Sequence, residues 1–504
     1  MSISALQDLH DALATMQSAY FSLWLGKWPS AIDWTAAVAG THLSEALDSF
    51  SIALSLLPSE ISSPGPISET DPNLDLNSTP QPATLIPETS LQTIFAKYLP
   101  HLTITHYTQD AFSLRLEAYD DMLWVVLQWL SAVSTLTSHS ARHHNGTWHA
   151  TQFVPAFAHR ARIFYELAAA GWDTALCGGG MLWSPRGLPY KNAVTNELFV
   201  AASVGMYLGW PGDANCEPFL AEGEGVDGGV GGDKVEEGEC DIPRETFLAN
   251  ALGAYEWLSA SGMRNSEGLF TDGFHISGYE QNHSRTACDE RSEDVWTYNQ
   301  GILLSGLRGL WEATGNESYL DDGHALVESV IRATYGGVLG EGGVLTERCD
   351  VAGSCSQDGQ TFKGIFFQHL VVFCGEVGMG RGGLAEGWVG TDKRAEDEGW
   401  AGSKERAEQD GRLGRQINPP PIPPSHLTSC STYTPWISRN AATALSTRDE
   451  EGRFGMWWGA PYLPPPSTEP NARGRGRTLE TQMGGLAVVR ARWEFLRLYG
   501  EGGE

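Results

Sequence analysis

The chain has no run of eighteen consecutive apolar residues, so nothing in it is long and apolar enough to cross a bilayer as a helix. Basic residues are also few: 33 Lys and Arg stand against 62 Asp and Glu, a formal net charge of −29. That sign repels nucleic-acid phosphates and anionic lipid headgroups, and neither an integral membrane segment nor a nucleic-acid partner is expected. A neutral ligand meets no such barrier. None of the eight cysteines stands in a Cys-x-x-Cys pair, and the histidines show no zinc-site spacing beside them, so no metal is expected. The first thirty residues lack both a basic stretch and a continuous apolar stretch, so no signal peptide is legible in them. The Gly-Glu-Gly-Gly-Glu end carries no apolar tail of the kind a lipid anchor needs, which favours either a soluble form or a truncated sequence. Strand-like alternation between Asn-Gly or Asp-Gly turns is scarce.

Helical periodicity is what the sequence has in quantity. Apolar residues recur at spacings of three and four in 5–26, 91–100, 121–137, 152–170, 191–209, 245–260, 299–313 and 320–334, which predicts an all-α protein of eight or more helices. Four segments break that pattern. The stretch 58–90 is rich in Pro, Ser and Thr, 221–240 is acidic and Gly-rich, 376–425 mixes Gly with charge, and 462–477 holds prolines and arginines. Such compositions bury too little apolar surface to offset ordering entropy, so they are expected as loops or disordered insertions within a single domain over 1–504. Cys349 and Cys355 are near enough in sequence to close a small loop in an oxidising compartment. Sequons at Asn77, Asn145, Asn282 and Asn316 permit glycosylation on a secretory route.

Two acids stand where a helix begins. Asp120 and Asp121 precede Met122 to Leu130, a stretch apolar on every face, which marks an inner helix without a solvent side. Free N–H groups and the positive dipole end stabilise one carboxylate as an anion, which suits a nucleophile. Repulsion raises the pKa of the second carboxyl, which then stays protonated as a general acid. Neighbouring side chains can bring their carboxyl groups to about 5–5.5 Å, the separation associated with retaining glycosidases. The plainer alternative makes Asp120 the helix cap and Asp121 an ordinary first-turn acid.

Aromatic residues collect beside glycine and polar groups. Trp172, Trp183 and Tyr190 flank Gly178 to Gly180, Trp296 to Gly301 reads Trp-Thr-Tyr-Asn-Gln-Gly, and Phe454 to Trp458 follows late in the chain. A pyranose packs its apolar face on an aromatic ring while amide and amine groups bond its hydroxyls. For any single ring the alternative is core packing, above all for Trp129. Lys191, Asn192, Asn196 and Glu197 open another helix, and capping explains them as well as ligand contact does.

Five blocks in order carry a resemblance. They are Tyr119-Asp120-Asp121 before a Trp-rich helix, Cys177 to Trp183, Tyr190 to Glu197, Trp296 to Gly301, and Phe362 to Phe366, with Gly452 to Trp458 and Thr481-Gln482 as a weaker close. In this the chain resembles glycoside hydrolase family 76, the endo-α-1,6-mannanases of bacteria and fungi, and the likeness is closest to a fungal-type member. The resemblance implies an (α/α)6 barrel with its site at one mouth, Asp120 as nucleophile, Asp121 as acid and base, and neither metal nor organic cofactor. It places Trp183, Asn192, Trp296, Tyr298 and Asn299 near a cleft for α-1,6-mannan, in a secreted or cell-wall-associated protein expected to be a monomer. Transglycosylation of cell-wall mannan or GPI glycan is the rival within enzymes. A non-catalytic mannan-binding protein is the rival outside them.

Overall fold

The computed structural model describes residues 3–57, 88–213, 215, 242–376, 419–459 and 470–500. Most of the expected insertions, at 58–87, 221–240, 377–418 and 462–469, lie outside the described residues. Glu88 to Ser90 already belong to a helix, as do Pro424 and Ser425, so the irregular stretches are shorter than their composition implies.

Among the described residues twelve longer helices alternate between an outer and an inner position. They are α1 (Ile3–Tyr20), α2 (Asp33–Ser55), α3 (Glu88–Thr108), α4 (Tyr119–His144), α5 (Val154–Ala169), α6 (Ala193–Gly209), α7 (Arg244–Ala260), α8 (Thr297–Thr314), α9 (Ser318–Ala333), α10 (Gln357–Cys374), α11 (Thr434–Leu445) and α12 (Leu479–Tyr499). Short helices Ala111–Leu114 and Pro424–Thr432 precede α4 and α11. The even-numbered helices pack in the sequence α2, α4, α6, α8, α10, α12, and α12 returns to α2, closing a ring. Outside it, α3 packs on α2, α5 on α4, α7 on α6 and α9 on α8, while α1 and α11 lie on α12. The helical content is what the periodicity predicts, and the paired-helix toroid is what the resemblance implies.

Position in the ring explains the sequence of each layer. An inner helix has neighbours all round, so α10 buries nearly every residue from Gly359 to Cys374 and shows no polar stripe. The outer α9 is amphipathic and turns Leu320, Leu326, Val327 and Val330 inward. Glycine lets inner backbones touch. A Cβ on Gly301 of α8 would lie 2.5 Å from Phe366 Cα of α10, and one on Gly364 of α10 would lie 2.9 Å from Gly484 Cα of α12.

Strands are few among the described residues. Tyr190–Asn192, Gly273–His275 and Glu290–Ser292 form an antiparallel three-stranded patch, with Lys191 opposite Phe274, and Gly340–Glu341 pairs with Val344–Leu345. All five lie in segments that lead from an outer helix to the inner helix that follows it. Three disulfides join described cysteines: Cys349–Cys355 as the spacing allowed, and Cys177–Cys288 and Cys374–Cys430 across 111 and 56 residues of sequence.

Candidate active site

Each inner helix follows an antiparallel outer one, so the six inner N-termini gather at one end of the ring. Contacts there confirm it. The Thr35 hydroxyl of α2 and the Gln357 amide of α10 both donate to Glu480 at the start of α12, at 3.2 and 2.7 Å. The Trp34 indole donates to Asp358 of α10 at 3.1 Å. Partial positive charge from six helix ends converges on this mouth, which is where a strongly acidic chain can hold carboxylates close together.

Asp120 and Asp121 sit in the first turn of α4, half-buried at this mouth. Ala118, not Asp120, is the N-cap residue. Asp121, expected in the plainer alternative only as a first-turn acid, reaches back to accept the Ala118 N–H at 3.2 Å and so serves the helix start. Asp120 accepts the Asp121 N–H at 3.2 Å and the Trp183 indole N–H at 3.2 Å. Both carboxyls are pushed up from the usual range. For Asp120 burial is the main cause and the Asp121 charge adds to it. For Asp121 burial again leads, and the nearby Glu117, Asp358 and Asp33 charges help carry it to about 7. The neighbours differ by side: Asp120 faces Trp183 and Tyr298, and Asp121 faces the starts of α2 and α10.

Trp183 is 44% exposed and is fixed from three directions. Its indole holds Asp120, its carbonyl accepts the Tyr119 N–H at 2.8 Å, and its N–H donates to the Tyr190 carbonyl at 2.8 Å. The loop that delivers it is anchored by Lys191, which is buried and donates to the carbonyls of Asp173, Leu176, Gly179 and Gly180. Burial lowers the Lys191 pKa to about 8. The Cys177–Cys288 disulfide ties down the same loop, and the Trp257 ring lies against Gly180, where a Cβ would clash at 2.6 Å.

The other expected residues are distributed unevenly. Tyr298 is half-buried, stacks on Phe362 at 3.9 Å, and feels the charges of Asp272, Asp120 and Glu197. Trp296, also half-buried, meets the same Phe362 ring edge-on at 5.6 Å. Asn192 is buried and caps α6 by accepting the Thr195 N–H, so its side chain serves the fold rather than the cleft. Asn299 is fully buried beside Asp272, and neither of its amide atoms has a well-formed hydrogen bond. Asn196 clamps Met181 through both N–H and carbonyl. Phe454 to Trp458, read as a stretch suited to sugar, has its three aromatic rings buried in the core, and Trp129 is buried as well.

Sequence reasoning passed over three acids. Asp272 accepts a short hydrogen bond from the Tyr190 hydroxyl and is pushed up by burial. Pairing of Tyr190–Asn192 with Gly273–His275 brings it to the mouth, and strands of three residues leave no readable pattern. Glu347 accepts from the backbone and hydroxyl of Thr297 at the start of α8, and burial carries it to about 8. Asp350 pairs with the buried Lys363. His324, His426 and Cys430 converge elsewhere, but Cys430 is bonded to Cys374 and offers no thiolate to a metal.

A family model described as glycosyl hydrolase family 76 matches residues 243–375. The chain is 25% identical over 225 residues to mannan endo-1,6-alpha-mannosidase DCW1 of Saccharomyces cerevisiae, across 43% of this chain and 40% of that protein. To mannan endo-1,6-alpha-mannosidase DFG5 of the same yeast it is 24% identical over 224 residues, 43% of this chain and 39% of the other. The chain therefore matches about two fifths of the length of these curated relatives. Among solved structures it resembles an inactive variant of an α-1,6-mannanase of Salegentibacter sp. HEL1_6, changed at two consecutive aspartates and bound to α-1,6-mannotetrose. That match has a TM-score of 0.55 at 16% identity and covers 97% of this chain and 98% of the other. Dfg5 from Chaetomium thermophilum, in complex with glucosamine, gives a TM-score of 0.54 at 14% identity over 98% of this chain and 90% of that one. At such identities the structural likeness establishes the fold. Over 243–375 the chain is similar to glycosyl hydrolase family 76, as it is to the curated relatives over about two fifths of its length.

Proposed function

We propose that the protein is a retaining glycoside hydrolase that cuts within α-1,6-mannan, a mannan endo-1,6-α-mannosidase working through Asp120 and Asp121. The observation that carries this reading is the pair itself: two neighbouring carboxyls with raised pKa at the mouth of a helical ring, one of them held by an indole. A coupled pair with raised pKa values holds one proton between its members near neutral pH, which supplies both an anion and an acid. Asp120 accepts two N–H donors and Asp121 one, which supports an anion on Asp120 against the burial that favours its protonated form.

In the first step Asp120 attacks the anomeric carbon as the glycosidic C–O bond breaks, and Asp121 gives its proton to the departing oxygen. In the second, water attacks that carbon, Asp121 takes the water's proton, and the ester to Asp120 breaks. The half-buried rings of Trp296 and Tyr298 and the exposed Trp183 offer apolar faces to successive sugars. Relatives named as mannan endo-1,6-α-mannosidases, and a mannanase variant inactive when two consecutive aspartates are changed, support the same assignment. Asn145, Asn282 and Asn316 are all exposed, in keeping with a secreted or wall-associated protein.

The test is digestion of unbranched α-1,6-mannan by the wild type and by Asp120→Asn and Asp121→Asn. Short oligosaccharides with an initial α-anomer, seen by NMR, are expected from the wild type. Each variant should lose at least about a thousandfold in kcat with an unchanged circular dichroism spectrum. An initial β-anomer, or substantial turnover by the Asp120 variant, would overturn the double displacement.

A further inference from the structure

The toroid has a second concave space. A cavity of about 140 Å³ lies on the ring axis, and all six inner helices line it. Its lining residues on α4 run from Leu127 to Thr135, which is roughly 10 to 22 Å past Asp120 at 1.5 Å per residue. The space therefore lies deeper along the ring axis than the carboxyl pair.

Its polar lining falls into two sets. The charged groups are already paired: Glu45 with Arg490 by a short contact, and Asp48 with Arg142 at 2.6 Å. The second set is neutral and unmet. Gln368 Oε1 and His369 Nε2, on residues no more than 3% exposed, have no hydrogen-bond partner, and neither has Ser134 Oγ. The other nitrogen of His369 is held by Ser305 at 2.8 Å, and burial keeps the ring neutral. Each buried polar atom left without a partner costs about 1–3 kcal/mol, so three of them on one cavity point to something that fills it. Between these groups Leu127, Leu130, Val204 and Val372 supply an apolar wall.

We infer that this cavity is a binding site for one small neutral polyol or monosaccharide, distinct from the mannan-cutting mouth. A hydroxylated molecule donates to Gln368, exchanges hydrogen bonds with Ser134 and His369, and lays its C–H face on the leucine and valine wall. An ion finds the charges already balanced. An apolar molecule leaves the three polar atoms unmet. A mannan chain is too large, since pockets for such ligands span about 300–1,000 Å³. The half-buried Leu130, Ser131, Gly205 and Gly209 border its solvent side. A molecule held there spans α4, α6 and α10 and stabilises the ring by linkage.

The experiment titrates the full chain with glycerol, myo-inositol and methyl α-mannoside, read by ligand-observed NMR and calorimetry. Saturable one-to-one binding of at least one of them is expected, retained in Asp120→Asn and weakened about fivefold to tenfold in Ser134→Ala and in Gln368→Met. Both cavity variants should keep their circular dichroism and mannan digestion; if Gln368→Met does not fold, Ser134→Ala decides alone. No saturation by any of the three up to about 100 mM, meaning water alone fills the space, overturns the inference. Binding that Asp120→Asn abolishes, or that the cavity variants leave unchanged, overturns it equally.

Discussion

Replacing Trp183 with Phe removes one N–H from Asp120 and leaves an aromatic ring in its place. A hydrogen bond to a charged group contributes about 1.5–3 kcal/mol net. This one is 3.2 Å long, and the tryptophan is 44% exposed, so water competes for the same oxygen and the contribution falls to the bottom of that range or just under it, about 1–1.5 kcal/mol. One pKa unit corresponds to about 1.4 kcal/mol, so the Asp120 pKa should rise by up to about one unit. In the proposed double displacement the reactive form of Asp120 is the carboxylate. The acid limb of the kcat/KM profile on α-1,6-mannan oligosaccharides should therefore move upward by that amount, with about a tenfold loss of kcat/KM below neutrality and a smaller one above it. The assay is a full pH profile of both proteins with kcat and KM resolved separately. If KM rises while the acid limb stays where it was, Trp183 is a stacking platform alone and the indole has no role in holding the Asp120 anion.

Lys191→Met keeps the length of the side chain and removes every donor to the four carbonyls of the Gly-rich loop. A loss of about 3 kcal/mol in urea unfolding is expected, with kcat reduced because Trp183 is carried on that loop; an unchanged midpoint would show that the disulfide suffices. Glu347 is carried up to about 8 by burial, so the folded state holds its proton more tightly than the unfolded one. Its contribution is complete at acid pH and is lost as pH rises from about 4.5 through about 8. Gln at position 347 keeps the acceptor for Thr297 and should flatten the fall of unfolding free energy over that window, by up to about 5 kcal/mol for about 3.5 pKa units, and parallel stability curves for the two proteins would contradict it.

What the sequence makes legible follows from what its patterns encode. Asp120 and Asp121 are visible because two acids stand directly before a run that is apolar on every face. Outer helices α1, α3, α5, α7 and α9 fall in segments whose spacing predicts a helix, as do inner helices α4, α6 and α8, whereas the short outer α11 does not. Inner helices α2 and α10 do not, because burial on all sides erases the contrast that periodicity measures, and α2 adds many small residues that carry no hydrophobic signal. Asn192 illustrates the opposite failure. Its neighbourhood reads equally well as ligand contact and as a helix start, and only coordinates show that its oxygen caps α6. Lys191 is harder still: its partners are carbonyls up to eighteen residues earlier, and backbone groups leave no mark in side-chain spelling. Asp272 comes to the mouth by the pairing of two three-residue strands, and Cys177 meets Cys288 across 111 residues, so both depend on closure of the whole ring.

Chain direction in the ring gives its two poles different freedoms. Mouth residues sit on segments that lead into an inner helix, whereas 58–87, 216–241 and 377–418 each fall after an inner helix has ended and before the next outer one begins. Inner helices point away from the mouth, so Ser55, Gly209 and Cys374, where α2, α6 and α10 end, lie at the far pole. Extra length there alters no spacing among Asp120, Trp183 and Tyr298. An epitope tag or a fused domain placed at those junctions should accordingly leave the chemistry untouched, while a single residue inserted between Trp183 and Tyr190 should not.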